Sequence, residues 1–330
     1  MTASGPAAAD REQAVRIGAT APMPHGRAAM GMVAVTLAWS IAGVVTRRLE
    51  AAESFEVTFW RSAFCFACLG LVLTWMRGPR LWSGLLRSPR PVWISGACWA
   101  VMFTAFMVAL TLTRVANVLV TMSIGPLLTA LFARLFLHRR LPARTWAAIA
   151  VAGVGIAWMF GRSVQAADAR SLGGMAVALA VPLAAAINWT VLHHASATST
   201  TPGSGLGPDP VPEEPSHDML PAVMIGAAIS SLVTLPLAWP LHATTHDLGL
   251  LALLGIAQLG LPCLLVVRLA RELPSHEISL LGLLEVIFGV LWAWLFAGEA
   301  PGPTALTGGA LVIGALVANE LLSLRKDAAR

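Results

Sequence analysis

The sequence is short of charge. Only 12% of its 330 residues are Asp, Glu, Lys or Arg, against about 25% in soluble domains. Beside that scarcity stand 57% hydrophobic residues. The combination excludes a soluble globular enzyme and predicts helices assembled side by side in lipid. Lysine is almost missing: Lys326 is the only one, a bias toward Arg that suggests a GC-rich bacterial genome. Cysteine is sparse too. Cys65, Cys68, Cys98 and Cys263 all lie in apolar runs. The first two form a C-x-x-C with no neighbouring histidine, so small apolar packing residues are expected there, and no metal site. The patterns G-x-S-x-G, H-E-x-x-H, G-x-G-x-x-G and the P-loop are absent. ATP-driven transport and the common hydrolytic chemistries therefore lack support. No catalytic residue and no cofactor are expected.

What is present is a series of apolar runs. They cover about 28–46, 57–76, 92–112, 116–137, 144–160, 173–195, 219–240, 248–267, 278–297 and 303–322. Most reach the roughly 20 residues a helix needs to cross a ~30 Å hydrocarbon core. The expected fold is an all-α integral membrane protein of ten transmembrane helices. Residues 1–27 read as a polar tail without the apolar core and cleavage site of a signal peptide. Residues 196–218 are rich in Ser, Thr, Pro and Gly and carry four acids. Such a composition has nothing to bury and reads as a flexible loop.

Basic residues set the orientation. With the N-terminus in the cytoplasm, the inner segments hold 15 Arg and Lys and the outer segments five: Arg47, Arg48, Arg114, Arg162 and Arg170. This bias puts both termini inside. The net charge of +5 thus belongs to short membrane-flanking loops rather than to a nucleic-acid footprint. Arg61 lies near the outer end of the second run, where a guanidinium is expected to reach back to the interface.

The stretch Ile278–Val317 is an apolar hairpin around Gly298-Glu299 and a Pro/Gly turn, with one acid, Glu285, inside its first arm. A shift of 160 residues lays it on an earlier hairpin. Leu295-Phe296 then falls on Leu135-Phe136, Glu285 on Gly125 and Val286 on Pro126. A duplication is expected, with a first five-helix repeat over 28–160 and a second over 173–322. An external linker, 161–172, joins them, and a short cytoplasmic tail, 323–330, follows. Five helices is an odd number, so the repeats enter the membrane from opposite sides, a plan typical of secondary transporters.

Intramembrane polar groups are few. Glu285 shares a helical stripe with Gly282, Gly289 and Trp292. It either faces a central cavity, where it binds a proton or a cationic group, or hydrogen-bonds a neighbouring helix end. The matching stripe on the fourth run holds Met122, Gly125, Thr129 and Phe132, and Pro126 should loosen the helix there. Trp39, Ser40, Asn188 and Gln258 complete the candidates for a substrate or proton path. Each also fits a role as glue between helices. Trp99, Met102 and Phe106 form a stripe that faces either lipid or cavity.

Several of these residues resemble the EamA family of the drug/metabolite transporter superfamily. They are Trp39-Ser40, F-W-R-S-A-F at 59–64, the approach from Ala116 to Pro126, L-L-E-V at 283–286 and L-F-A-G-E at 295–299. Two features depart from the family pattern: His138-Arg139 stands where Gly-Glu is usual, and the acidic 196–218 loop is long. The resemblance implies two repeats that carry a small organic molecule, often outward, without an ATPase subunit. The expected protein is a secondary transporter of the bacterial cytoplasmic membrane, acting alone or as a homodimer, with the bilayer and a small molecule as partners. A polytopic membrane enzyme or lipid-handling protein is the alternative. Reporter fusions at Arg330 and near Gly205 should both signal from the cytoplasm; an external signal at either would remove the inverted-repeat plan.

Overall fold

The computed structural model describes residues 23–113, 115–136, 141–165, 169–198, 219–297 and 302–328. Those residues form helices and connecting turns, with no strand among them. In chain order the helices are α1 (His25–Trp39), α2 (Ala42–Thr46), α3 (Ser54–Arg77), α4 (Arg80–Leu85), α5 (Arg90–Leu112), α6 (Val115–Met122), α7 (Gly125–Phe136) and α8 (Ala143–Gln165). Then come α9 (Ala169–Thr198), α10 (Leu220–Ala238), α11 (Thr245–Leu253), a π-helical stretch (Leu254–Gly260), α12 (Leu261–Leu269), α13 (Ser275–Gly282), α14 (Leu284–Ala297) and α15 (Pro303–Ala328).

Among the described residues, seven spans are long and apolar enough to cross a membrane: His25–Thr46, Phe55–Arg77, Arg90–Leu110, Ala169–His194, Leu220–Ala238, Thr245–Leu269 and Ser275–Phe296. Three shorter apolar helices, Gly125–Phe136, Ala143–Trp158 and Leu306–Asn319, accompany them. The fourth apolar run is short because it is split. Pro126 lacks an N–H and its ring crowds the carbonyl one turn back, so α6 stops at Met122 and α7 starts at Gly125. The polar linker expected over 161–172 is helical where it is described, since α8 runs to Gln165 and α9 starts at Ala169. A helix that leaves the apolar layer keeps its own backbone hydrogen bonds, so hydropathy underestimates its length. Residues 1–22, 114, 137–140, 166–168, 199–218, 298–301 and 329–330, and with them the expected N-terminal tail and 196–218 loop almost entirely, lie outside the described residues.

Helix ends follow local chemistry. Gly78, at φ +74°, closes α3 in the left-handed region, where glycine pays no steric cost. The Thr244 hydroxyl accepts from the Asp247 backbone N–H while the Asp247 carboxylate accepts from the Thr244 N–H, a capping box that opens α11.

The halves interleave. α9 packs along α5, α10 packs against α3 and α5, and α15 lies along α8. Close approach requires glycine at two places. A Cβ on Gly226 would sit 2.4 Å from the Trp99 Cβ, and one on Gly255 would sit 2.6 Å from the Arg61 carbonyl oxygen. Small hydroxyls tie the same surfaces: Ser62 donates to Ser230 at 3.0 Å and Thr104 meets Ser230 at 2.9 Å. Such contacts stand in for the hydrophobic driving force that lipid does not supply between helices.

Two buried carboxylates clasp the loops at the end of α3 that carries Ser54. Glu56 accepts the backbone N–H groups of His242 and Ala243 at 2.9 and 2.8 Å. Asp247 accepts those of Glu50, Ala51 and Ala52 at 2.8, 3.0 and 3.1 Å. At the opposite end, His25 meets Glu277 at 2.8 Å, joining the first turns of α1 and α13.

Removing Asp247 leaves the N–H groups of Glu50, Ala51, Ala52 and Thr244 without their acceptor. Water near the surface replaces part of the loss, so Asp247→Ala should cost about 2 kcal/mol, within the range for an orphaned buried donor. Thermal unfolding in detergent should then begin at lower temperature than for the unaltered protein. An unchanged melting curve would mean that the clasp contributes nothing to stability.

Candidate functional site

Four interrupted helices meet around one cavity of about 160 Å³. The α1–α2 span breaks at Ser40-Ile41, α6 and α7 part at Ser123-Ile124, the α11–α12 span loosens into the π stretch 254–260, and α13 and α14 part at Leu283. Trp39, Ser123, Gln258 and Leu283 line the cavity at these four places. Irregular backbone inside a membrane is tolerated where it lines a cavity or is buried in protein. That rule accounts for the clustering of the breaks.

Each side chain on the wall arrives for a local reason. Glu285 sits in the first turn of α14, just past the break. It is half-buried and lines the cavity, and it has no hydrogen-bond partner among the described residues. Arg61 projects from α3 and is only 3% exposed. One terminal nitrogen donates to the Phe103 carbonyl oxygen at 3.1 Å, and its Nε donates to nothing. Arg61 and Glu285 feel each other's charge, yet no ion pair joins them. Gln258 donates to the Trp39 carbonyl at 3.1 Å and leaves its own carbonyl oxygen unpartnered. The Trp99 indole N–H is likewise without an acceptor. Trp99 stacks edge-on against Trp189 at 5.6 Å and tilts against Phe103 at 5.5 Å. The remaining wall is mostly apolar, with Met32, Phe106, Pro126 and Pro182 among its members beside the hydroxyls of Ser123 and Ser279.

The cavity draws on residues from Met32 to Val286, and comparison with known proteins covers most of that span. The profile of the EamA-like transporter family matches residues 26–161 and again 214–319, well over half of the chain. The chain belongs to the EamA-like transporter family. It is a multi-pass membrane transporter with two family repeats.

The pseudopaline exporter CntI of Pseudomonas aeruginosa is 23% identical to it over 271 residues, covering 80% of this chain and 84% of that protein. An uncharacterized transporter of Vibrio cholerae is 26% identical over 125 residues, covering 36% of this chain and 40% of its own. A solved crystal structure, 19% identical, superimposes with a TM-score of 0.71 over 91% of this chain and 98% of the other, a likeness of fold.

The EamA matches leave out all of α9, although Pro182, Ala185 and Trp189 of that helix line the cavity.

Of the candidates read from sequence, Glu285, Trp39, Gln258 and Gly125 come together on the wall. Ser40 and Trp292 do not line it; the Trp292 indole donates to the Ser40 hydroxyl at 2.8 Å, so these two satisfy each other. Asn188 is fully buried and accepts from Ser95 at 2.6 Å, joining α9 to α5. Thr129 is fully buried in α7 and off the wall. The stripe Trp99, Met102 and Phe106 faces the cavity rather than lipid. The largest correction is Arg61, which turns inward instead of reaching for the interface. A signal was available one turn along the helix: Cys65, at i+4, puts a small residue on the same face as Arg61 and marks it as closely packed.

Proposed function

We propose that this transporter exports a small organic molecule across a bacterial inner membrane by alternating access, with no ATPase. In this proposal the seven long spans and three shorter apolar helices all cross, giving ten. They form two five-helix repeats of opposite topology, 28–160 and 173–322, with both termini in the cytoplasm. The observation that carries the proposal is the cavity itself, whose wall draws on both repeats at the places where their helices are interrupted. Interrupted helices facing a shared cavity are a mark of secondary transporters. Similarity to an exporter supports the outward direction. The basic-residue bias supports the orientation.

Glu285 is the proposed coupling group. A carboxylate without a protein partner attracts either a proton or the cationic end of a substrate, and the two exclude one another. Facing the cytoplasm, the deprotonated carboxylate takes the substrate. Facing outward, a proton from the more acidic side displaces it. The acid returns protonated and releases the proton inside. Every half-cycle thus has one occupant on Glu285, which avoids leaving a bare charge in the membrane.

The test is Glu285→Gln, which keeps the shape and removes the titration. In inside-out vesicles with an acidified lumen, the unaltered protein should load metabolites from a panel and stop when an ionophore collapses the gradient. The variant should reach the membrane at normal abundance, lose gradient-driven loading and show a flat pH profile. Normal transport with an unchanged pH profile would show that Glu285 is structural.

A further inference from the structure

We propose that the end of the bundle carrying the His25–Glu277 contact holds an anionic phospholipid, its phosphate bound by Arg77, Arg268 and Arg271 where the two halves of the chain meet. None of the three arginines lines the cavity, so the site stands whatever the cavity carries.

The arginines come from two helix ends. Arg77 is the last residue of α3, Arg268 lies in the last turn of α12, and Arg271 follows just beyond. Each position is favourable by itself, because a cation near a helix C-terminus meets the free carbonyl groups there. That does not explain why two such ends meet. The core holds them together: Leu69 and Leu73 of α3 and Val266, Leu269 and Ala270 at the end of α12 belong to one buried cluster. The Arg77 guanidinium consequently feels the charges of both Arg268 and Arg271. Arg268 and Arg271 are exposed, and among the described residues no carboxylate lies within ion-pair distance of either. Glu272, next in sequence, pairs with neither, and Glu277 is engaged by His25 at 2.8 Å. Like charges gathered this way favour an anion between them. The planar guanidinium fork matches phosphate oxygens in pairs.

The surroundings select a lipid phosphate. Leu71 and Trp75, one turn apart on α3, are 74% and 88% exposed, an apolar face open to acyl chains. Trp82 folds back from α4 onto the same helix. Its indole N–H donates to the Thr74 hydroxyl at 3.0 Å, and its ring meets Phe66 edge-on at 6.1 Å. Phe66, Gly70, Thr74 and Arg77 recur at helical spacing, so the indole lies along the face of α3 that ends in Arg77. An indole with an apolar body and a hydrogen-bonded N–H marks the boundary between hydrocarbon and water. The arginines therefore sit at headgroup depth, where basic pockets between helices bind phospholipid headgroups. A soluble phosphate would use the arginines alone and gain nothing from Leu71 or Trp75. A lipid phosphate would also bridge α3 of the first half to the α12 end of the second, beside the His25–Glu277 fastening.

The experiment titrates the full-length protein in detergent with dioleoyl phosphatidylglycerol or dioleoyl phosphatidylcholine and counts bound lipids by native mass spectrometry. The first phosphatidylglycerol should bind roughly 100-fold tighter than the first phosphatidylcholine. Each of Arg77→Gln, Arg268→Gln and Arg271→Gln should weaken it roughly fivefold, the loss expected for one basic residue at an anionic surface, and the triple variant should abolish the preference. Arg268 and Arg271 are exposed, so their double variant, with a loss of roughly 25-fold, decides the matter if Arg77→Gln fails to fold. Arg87→Gln with Arg90→Gln removes two exposed cations from the loop that follows α3 and should leave the first lipid's affinity unchanged. A preference that survives loss of the arginines, or that falls equally in the Arg87/Arg90 control, overturns the site, since a general attraction to basic loops would then account for it. Displacement of the lipid by an equal concentration of glycerol phosphate also overturns it and assigns the arginines to a soluble phosphate.

Discussion

A polar group inside a membrane must find its partner within the protein. Most of this chain meets that demand by keeping to helix, and most of the exceptions surround one cavity. The breaks at Ser40-Ile41, Ser123-Ile124, 254–260 and Leu283 release backbone groups where protein and cavity, not lipid, surround them. The same constraint explains the sparing use of polar side chains. Ser62, Thr104 and Ser230 join three helices through two contacts, Ser95 and Asn188 join two, and Trp292 and Ser40 join α14 to the end of α1. Arg61, Trp99 and Gln258 each leave a donor or acceptor unused on the cavity wall, as Asn117, Thr129 and Asn188 do elsewhere in the bundle.

The two ends of the bundle are held differently from its middle. At one end Glu56 and Asp247 gather five loop N–H groups between them. At the other, the His25–Glu277 contact joins α1 to α13. The first set crosses between residues about 190 apart in sequence, and the second between residues 252 apart. Each end therefore fastens the first half of the chain to the second. An alternating cycle must loosen one fastening while keeping the other. The clasp with more hydrogen bonds is the costlier one to open.

Much of this was legible from the sequence because lipid imposes a coarse pattern. The apolar runs located the long helices, and the 160-residue shift that laid Glu285-Val286 on Gly125-Pro126 paired two positions that both fall beside helix breaks. Pro126 carried a physical reason for one break, and Glu285 was conspicuous as an acid in an apolar run. The facing of side chains was less legible. Hydropathy says that Arg61 is in a helix near a membrane surface; it does not say that the Phe103 carbonyl, 42 residues away, waits on the inner side. Trp292 and Ser40 were read as path residues because nothing in the sequence shows that they satisfy one another. Trp189, beside Asn188, fits packing glue equally well by sequence, because an indole in an apolar run looks the same whether it packs between helices or faces a cavity.

The central claim is that the cavity between the halves opens to each side of the membrane in turn. Gly282 lines it, and a Cβ there meets nothing within 4 Å, so Gly282→Cys adds a thiol to the path without disturbing the packing. In a background with Cys65, Cys68, Cys98 and Cys263 replaced, a membrane-impermeant thiol reagent should label Cys at 282 from either side of sealed vesicles. The proton gradient should shift the balance between the two sides. Labelling from one side alone, whatever the gradient, would contradict alternating access through this cavity.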